Sequence, residues 1–159
     1  MSQFIKYIFS FSIFALLGFS REFLFVNINN LLYKIYYQNN SIVIPNCLSF
    51  LSKYDYSTLY YIKYPLTIFY FILYFLISFY SVKFICLNEK ITKWIVYIYG
   101  LILLLASITM LFNFLVYNQF SGEEYTFSRW LMGISQSPLI AFFTIATYNL
   151  YKTSQIKKN

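Results

Sequence analysis

Four long apolar runs separated by polar breaks organise the chain. They cover residues 4–26, 62–86, 93–117 and 128–151. A bilayer hydrocarbon core is about 30 Å thick, which takes about 20 residues of helix. Each run reaches that length. The pattern predicts an all-α integral membrane protein, a four-transmembrane-helix bundle forming one membrane domain over residues 1–159.

The first run resembles a secretory signal at its start, where Lys6 precedes an apolar stretch. Its end argues otherwise, because Phe19-Ser20-Arg21-Glu22-Phe23 is not a small-residue cleavage site. Between Lys6 and Arg21 lie about 14 residues, or about 21 Å of helix. The helix must therefore carry Arg21 and Glu22 below the far interface to cross.

Residues 27–61 form the longest polar-leaning stretch. Leu31, Leu32, Ile35 and Tyr36 recur at helical spacing and predict a short interfacial helix. Residues 41–46 read as an extended piece with a turn at Pro45, and residues 48–53 as a second short helix. Pro65 is expected near the start of the second span, where a helix tolerates proline. Residues 87–92 read as a hairpin and residues 118–127 as a loop. In the fourth span, Gly133 and Ser137 form a small-residue pair. Pro138 is expected to kink this helix by freeing the carbonyl of Ile134.

Composition sharpens the class. Hydrophobic residues make up 60% and charged residues 11%, against about 25% charged in soluble domains. Mean hydropathy is +0.60. Aromatics reach 25%, and tyrosine favours the membrane–water interface. The net charge of +7 does not gather on one basic face, so nucleic acid is not an expected partner. The chain has no histidine, which excludes His-dependent catalysis and His metal ligation. Cys47 and Cys86 fall on opposite sides of the expected topology, and two thiols alone make no metal site. No cofactor is expected.

Lysine and arginine orient the spans. With both termini inside, the inner side holds seven cations and one acid. The outer side, including the long loop, holds five cations and four acids. That bias predicts N-in/C-in at the cytoplasmic membrane.

This topology brings separated polar residues to one level in the outer half of the bilayer. Arg21 and Glu22 end the first span, Lys63 begins the second, and Asn113 nears the end of the third. Arg129 opens the fourth, with Gln136 about two turns deeper. Polar groups at such depth usually face a partner or a wet cavity. Glu22 is expected to face inward and meet Arg129 or Lys63. The plainer alternative is an internal Arg–Glu pair, with Lys63 and Arg129 as headgroup anchors.

At these residues the chain resembles the small accessory membrane proteins encoded with bacterial exosortases, the exosortase F system-associated family. Its first helix carries an arginine followed by an aromatic-rich Leu-Phe-Tyr-Asp-Pro stretch. Here Arg21 and Leu24-Phe25 match, and Val26-Asn27 depart. Lys63-Tyr64 stands where the family has Arg-Tyr. Arg129-Trp130 followed by Gln136-Ser137-Pro138-Leu139 is similar to its arginine, aromatic and Gln-Pro-Leu, with an inserted serine. The resemblance implies a role beside a protein-sorting transpeptidase, not the enzyme itself.

Two functions fit. One is a non-catalytic accessory subunit packing against a larger membrane protein. The other is a lipid- or anion-binding protein or enzyme using Arg21, Glu22, Lys63 and Arg129. Membrane lipids are expected partners of either.

Overall fold

The computed structural model describes residues 3–38, 41–117 and 126–156, with the side chains of 113, 114, 116, 117, 126 and 156 outside the description. The described residues are all-helical. Helix α1 covers Gln3–Tyr37, α2 Tyr56–Cys86, α3 Glu89–Tyr117, α4 Thr126–Ser135 and α5 Leu139–Ile156, with a 3-10 helix at Asn46–Lys53. Three of them are long and apolar enough to cross a membrane. A fourth span exists if the pair Phe127–Ser135 and Leu139–Gln155, bent by 59°, is counted as one.

Several boundaries differ from expectation. The first span and the expected interfacial helix are one helix of 35 residues. Neither proline nor glycine occurs between Phe19 and Tyr37, so no helix breaker interrupts the hydrogen-bond ladder. Helix α2 starts six residues earlier than expected, which moves Pro65 from the first turn into the helix interior. The expected hairpin shrinks to Leu87 and Asn88. Leu87 takes φ 51°, and Asn88 Oδ1 accepts the amides of Lys90 at 3.0 Å and Ile91 at 3.3 Å, capping α3. The loop 118–125, with Glu123 and Glu124, and the tail 157–159 lie outside the described residues.

The chain divides into two compact units. The smaller is Ala15–Tyr70. Its core joins Ile28, Leu31 and Leu32 of α1 to Leu48 and Leu51 of the 3-10 helix and Leu59 of α2. A 3-10 helix repeats every three residues, so Leu48 and Leu51 share one edge and are buried. Cys47, Phe50 and Lys53 share another edge and are exposed. Lys34 Nζ donates to the carbonyl of Ile42 at 3.4 Å, holding the extended piece.

Asp55 starts α2. Its carbonyl accepts the amide of Leu59 at 3.1 Å, and its carboxylate accepts the hydroxyls of Ser57 and Thr58. These bonds, Ser57's first, hold the Asp55 carboxyl below its usual range. A lowered folded pKa means a contribution present above the unfolded value of about 3.9 and lost as pH falls through the folded value. Asp55→Ala should therefore lower amide-exchange protection in the first turn of α2 at neutral pH. Acidifying the parent protein to below that range should reproduce the loss, and equal protection in both proteins at neutral pH would deny Asp55 its capping role.

The larger unit joins residues 1–14 to 71–159. Helix α3 packs along α4 and α5. Tyr99 is its centre, buried beside Phe75 at 5.3 Å and Phe71 at 5.6 Å between ring centroids. Its hydroxyl pairs with Ser78 Oγ at 2.9 Å. Phe14 meets Phe142 edge-on at 5.5 Å. Lys6 Nζ donates to the carbonyl of Phe84 at 3.0 Å and lies 4.7 Å from that residue's ring centroid. Asn149 Nδ2 donates to the hydroxyl of Tyr7 at 2.8 Å. Cys47 and Cys86 are both free thiols.

The expected kink at Pro138 is a break between two helices. The carbonyl of Ile134 does not wait for a neighbour: it accepts the Ser137 amide at 3.2 Å and the Ser137 hydroxyl at 2.6 Å. The carbonyl of Met132 likewise takes the Ser135 hydroxyl at 2.7 Å and the Gln136 amide at 3.1 Å. Pro138 then begins α5, its carbonyl accepting Phe142 N–H at 3.0 Å. A Cβ added at Gly133 or at Gly100 would meet nothing within 4 Å. Among the described residues, neither glycine serves a close helix contact.

Candidate polar groove on the first helix

Ala15, Gly18, Glu22, Phe25 and Asn29 follow one another by three or four residues, which places them on one face of α1. Together with Phe19, Arg21 and Val26 they line a groove of ≈ 760 Å³. The core residues Ile28, Leu31, Leu32 and Ile35 occupy a different face, since Ile28 and Asn29 point about 100° apart. One helix thus serves two purposes in this unit: one side closes the core, and another carries polar groups in the groove.

The polar groups are held from several directions. The Arg21 guanidinium lies over the Phe25 ring, 5.4 Å from its centroid. Asn29 Oδ1 accepts Lys63 Nζ at 3.0 Å, and that ammonium also lies 5.3 Å from the Tyr60 ring centroid. Thr67 Oγ1 donates to the carbonyl of Lys63 at 2.7 Å, in the turn that contains Pro65. Ser20 Oγ pairs with the Tyr70 hydroxyl at 3.1 Å. Asn27, buried, donates to the carbonyl of Phe23 at 2.7 Å, so its amide folds back on its own helix.

The structure therefore gathers part of the expected site. Arg21 and Glu22 share the groove, and Lys63 reaches it through Asn29. Glu22, expected to turn inward, is exposed, and Lys63 donates to the Asn29 amide oxygen. Asn29 was not singled out in the sequence, although a signal existed. It follows Glu22 by seven positions, two helical turns, and so shares its face.

Asn113, Arg129 and Gln136 belong to the other unit. Arg129 is exposed on α4. Gln136 sits at the break between α4 and α5 and is only 3% exposed. Ser128 beside Arg129 is buried and donates to the carbonyl of Ala106 at 3.3 Å, tying α4 to α3. The side chain of Asn113 lies outside the described residues.

Chemically, the groove offers one cation, one carboxylate and an amide beside apolar and small residues, with the Lys63 ammonium bonded to that amide. Such a set can bind an anion or pair with a polar helix. Among the described residues, no group of three His, Cys, Asp or Glu side chains could hold a metal ion.

The fold and the groove define a small helical protein with three or four apolar helices of membrane-spanning length and one polar face among them. No family model, curated protein or solved structure matches the chain.

Proposed function

We propose that the chain is a multi-pass protein of the bacterial cytoplasmic membrane, with both termini inside. We further propose that it is a non-catalytic accessory subunit packing against a larger membrane protein. The groove on α1 carries this reading. Counting about 20 residues from Lys6 brings α1 to the far hydrocarbon boundary near Val26. Glu22 then lies about 6 Å inside that boundary. An ionisable group at such depth calls for a partner, and Ala15 and Gly18 below it let another helix backbone approach closely. Small residues followed by a carboxylate fit a helix–helix interface better than a surface meant for lipid tails. The resemblance at Arg21, Lys63-Tyr64 and Gln136-Ser137-Pro138-Leu139 supports a sorting transpeptidase of exosortase type as the larger protein.

The test is purification of the tagged chain in mild detergent from its own host. A larger membrane protein should accompany it in stoichiometric amount. Glu22→Gln and Gly18→Leu should each reduce that recovery roughly tenfold, equivalent to about 1.4 kcal/mol. Melting of the isolated chain with Glu22→Gln should not move, because Glu22 is exposed. Recovery of a tightly held anionic lipid with no larger protein would replace this reading by the lipid-binding one. A reporter active only in the cytoplasm, fused after Asn159, should be active; silence there with activity from a fusion in 118–125 would reverse the topology.

A further inference from the structure

Helix α1 is longer than a membrane requires. Its 35 residues extend about 52 Å, whereas a bilayer with its headgroups measures about 40–45 Å. The excess falls at the C-terminal end, because Asn27, Asn29, Asn30 and Lys34 make that end polar. Helix tilt does not remove it, since tilting would draw those four polar side chains into hydrocarbon. The last turns of α1 therefore stand clear of lipid, joined through the core of Ile28, Leu31 and Leu59 to the start of α2.

That protruding end is aromatic. Tyr33 and Tyr37 have ring centroids 4.4 Å apart, Tyr36 and Tyr37 4.8 Å, and Tyr36 reaches Tyr56 of α2 at 6.0 Å. Tyr36 is 67% exposed and Tyr33 51%. The neighbouring charges are basic: Lys34 lies on α1 beside Tyr33, and exposed Lys53 ends the 3-10 helix three residues before Tyr56. Asp55, held ionised by the hydroxyls of Ser57 and Thr58, adds one negative charge, so the two lysines leave the surface net positive. Contiguous exposed tyrosines supply large contact area at low entropic cost, and lysines at their edge form the polar rim that surrounds such contacts.

We propose that the patch of Tyr33, Tyr36, Tyr37 and Tyr56 with Lys34 and Lys53 docks an acidic, apolar extramembrane segment of the larger membrane protein. The charge of the patch selects acidic over basic segments, and the rings supply the contact area. The proposal rests on the accessory-subunit reading and adds a second contact to it, outside the bilayer.

The experiment places one reporter in the patch. Tyr36→Trp is made with Trp94→Phe and Trp130→Phe, and the full chain is reconstituted in phosphatidylethanolamine–phosphatidylglycerol nanodiscs. Brominated lipid tails should leave this tryptophan bright, while they strongly quench a Phe69→Trp control. A ten-residue peptide alternating glutamate and leucine should shift its emission saturably, and salt should weaken the effect. The lysine–leucine counterpart should not. Lys34→Gln with Lys53→Gln should weaken the acidic peptide at least tenfold, and Lys53→Gln alone, which leaves the Lys34–Ile42 bond in place, should weaken it severalfold with melting unchanged. Quenching equal to the control would show that lipid covers the patch and overturn the proposal. So would the absence of a saturable response to the acidic peptide. Co-purification of a larger protein that survives Lys34→Gln with Lys53→Gln would keep the accessory role and remove this surface from it.

Discussion

Tyr99→Ala should lower the stability of the larger unit by about 3–5 kcal/mol, the range for truncating a buried aromatic. Tyr99 is 2% exposed and Ser78 is not exposed at all. The ring fills the space between Phe71 and Phe75, so its loss leaves a cavity that those two aromatics cannot close without leaving their edge-on packing. Tyr99→Phe isolates the hydroxyl. Buried hydrogen bonds between membrane helices average about 0.6 kcal/mol and reach about 1.7, so this change should cost about 1 kcal/mol. The Ser78→Ala, Tyr99→Phe double variant should lose less than the sum of the singles, because it leaves no buried hydroxyl without its partner. Thermal melts of the four variants in one detergent check the set. Additive losses would show that the two hydroxyls do not act as a pair.

Leu59→Ala should have a comparable effect confined to the Ala15–Tyr70 unit, about 2–5 kcal/mol. Leu59 is fully buried among Ile28, Leu31, Leu32, Leu48 and Leu51. This core is small, and it fastens the 3-10 helix through Leu48 and Leu51. Truncating its central leucine should release the segment 41–55 to limited proteolysis. The Ser78–Tyr99 pair belongs to the other unit, and sites without shared partners usually add independently. Leu59→Ala and Tyr99→Ala should therefore lose stability additively. Unchanged proteolysis in Leu59→Ala would mean that the extended piece, with its Lys34–Ile42 bond, holds the segment without the core.

How far the sequence was legible depends on what each residue answers to. Apolar length is a local property, since about 20 residues of Phe, Leu, Ile and Tyr have one economical conformation away from water. The second and third apolar runs, 62–86 and 93–117, were therefore readable as long helices from composition alone. The 3-10 segment was located within two residues at Leu48–Lys53, because the turn at Pro45 marks its start. The extent of α1 was not readable. Asn27, Asn29 and Asn30 look like a helix end, yet Ile28, Leu31, Leu32 and Ile35 continue the helical period through them. Which signal wins depends on whether that apolar face finds cover, and the cover comes from Leu48, Leu51 and Leu59, far along the chain.

The polar residues divide in the same way. Arg21, Glu22 and Lys63 stood out by type, because charges beside apolar runs are rare and costly. Their partners did not stand out. Lys63 meets an asparagine 34 positions away, a pairing set by how α2 lies on α1 and by no local pattern. Glu22 was expected to turn inward on the argument that a carboxylate at depth needs an internal cation. On α1 the inward face is already filled by aliphatic side chains, so the carboxylate is left exposed in the groove. At the fourth span, Pro138 announced an interruption by lacking an amide hydrogen. That the interruption is a 59° break rather than a gentle kink was decided by Ser135 and Ser137, whose hydroxyls and neighbouring amides close the last turn of α4. Element type and length follow from side-chain transfer energies, which each residue carries with it. Which face is covered, and by what, follows from packing between distant segments, which no residue carries alone.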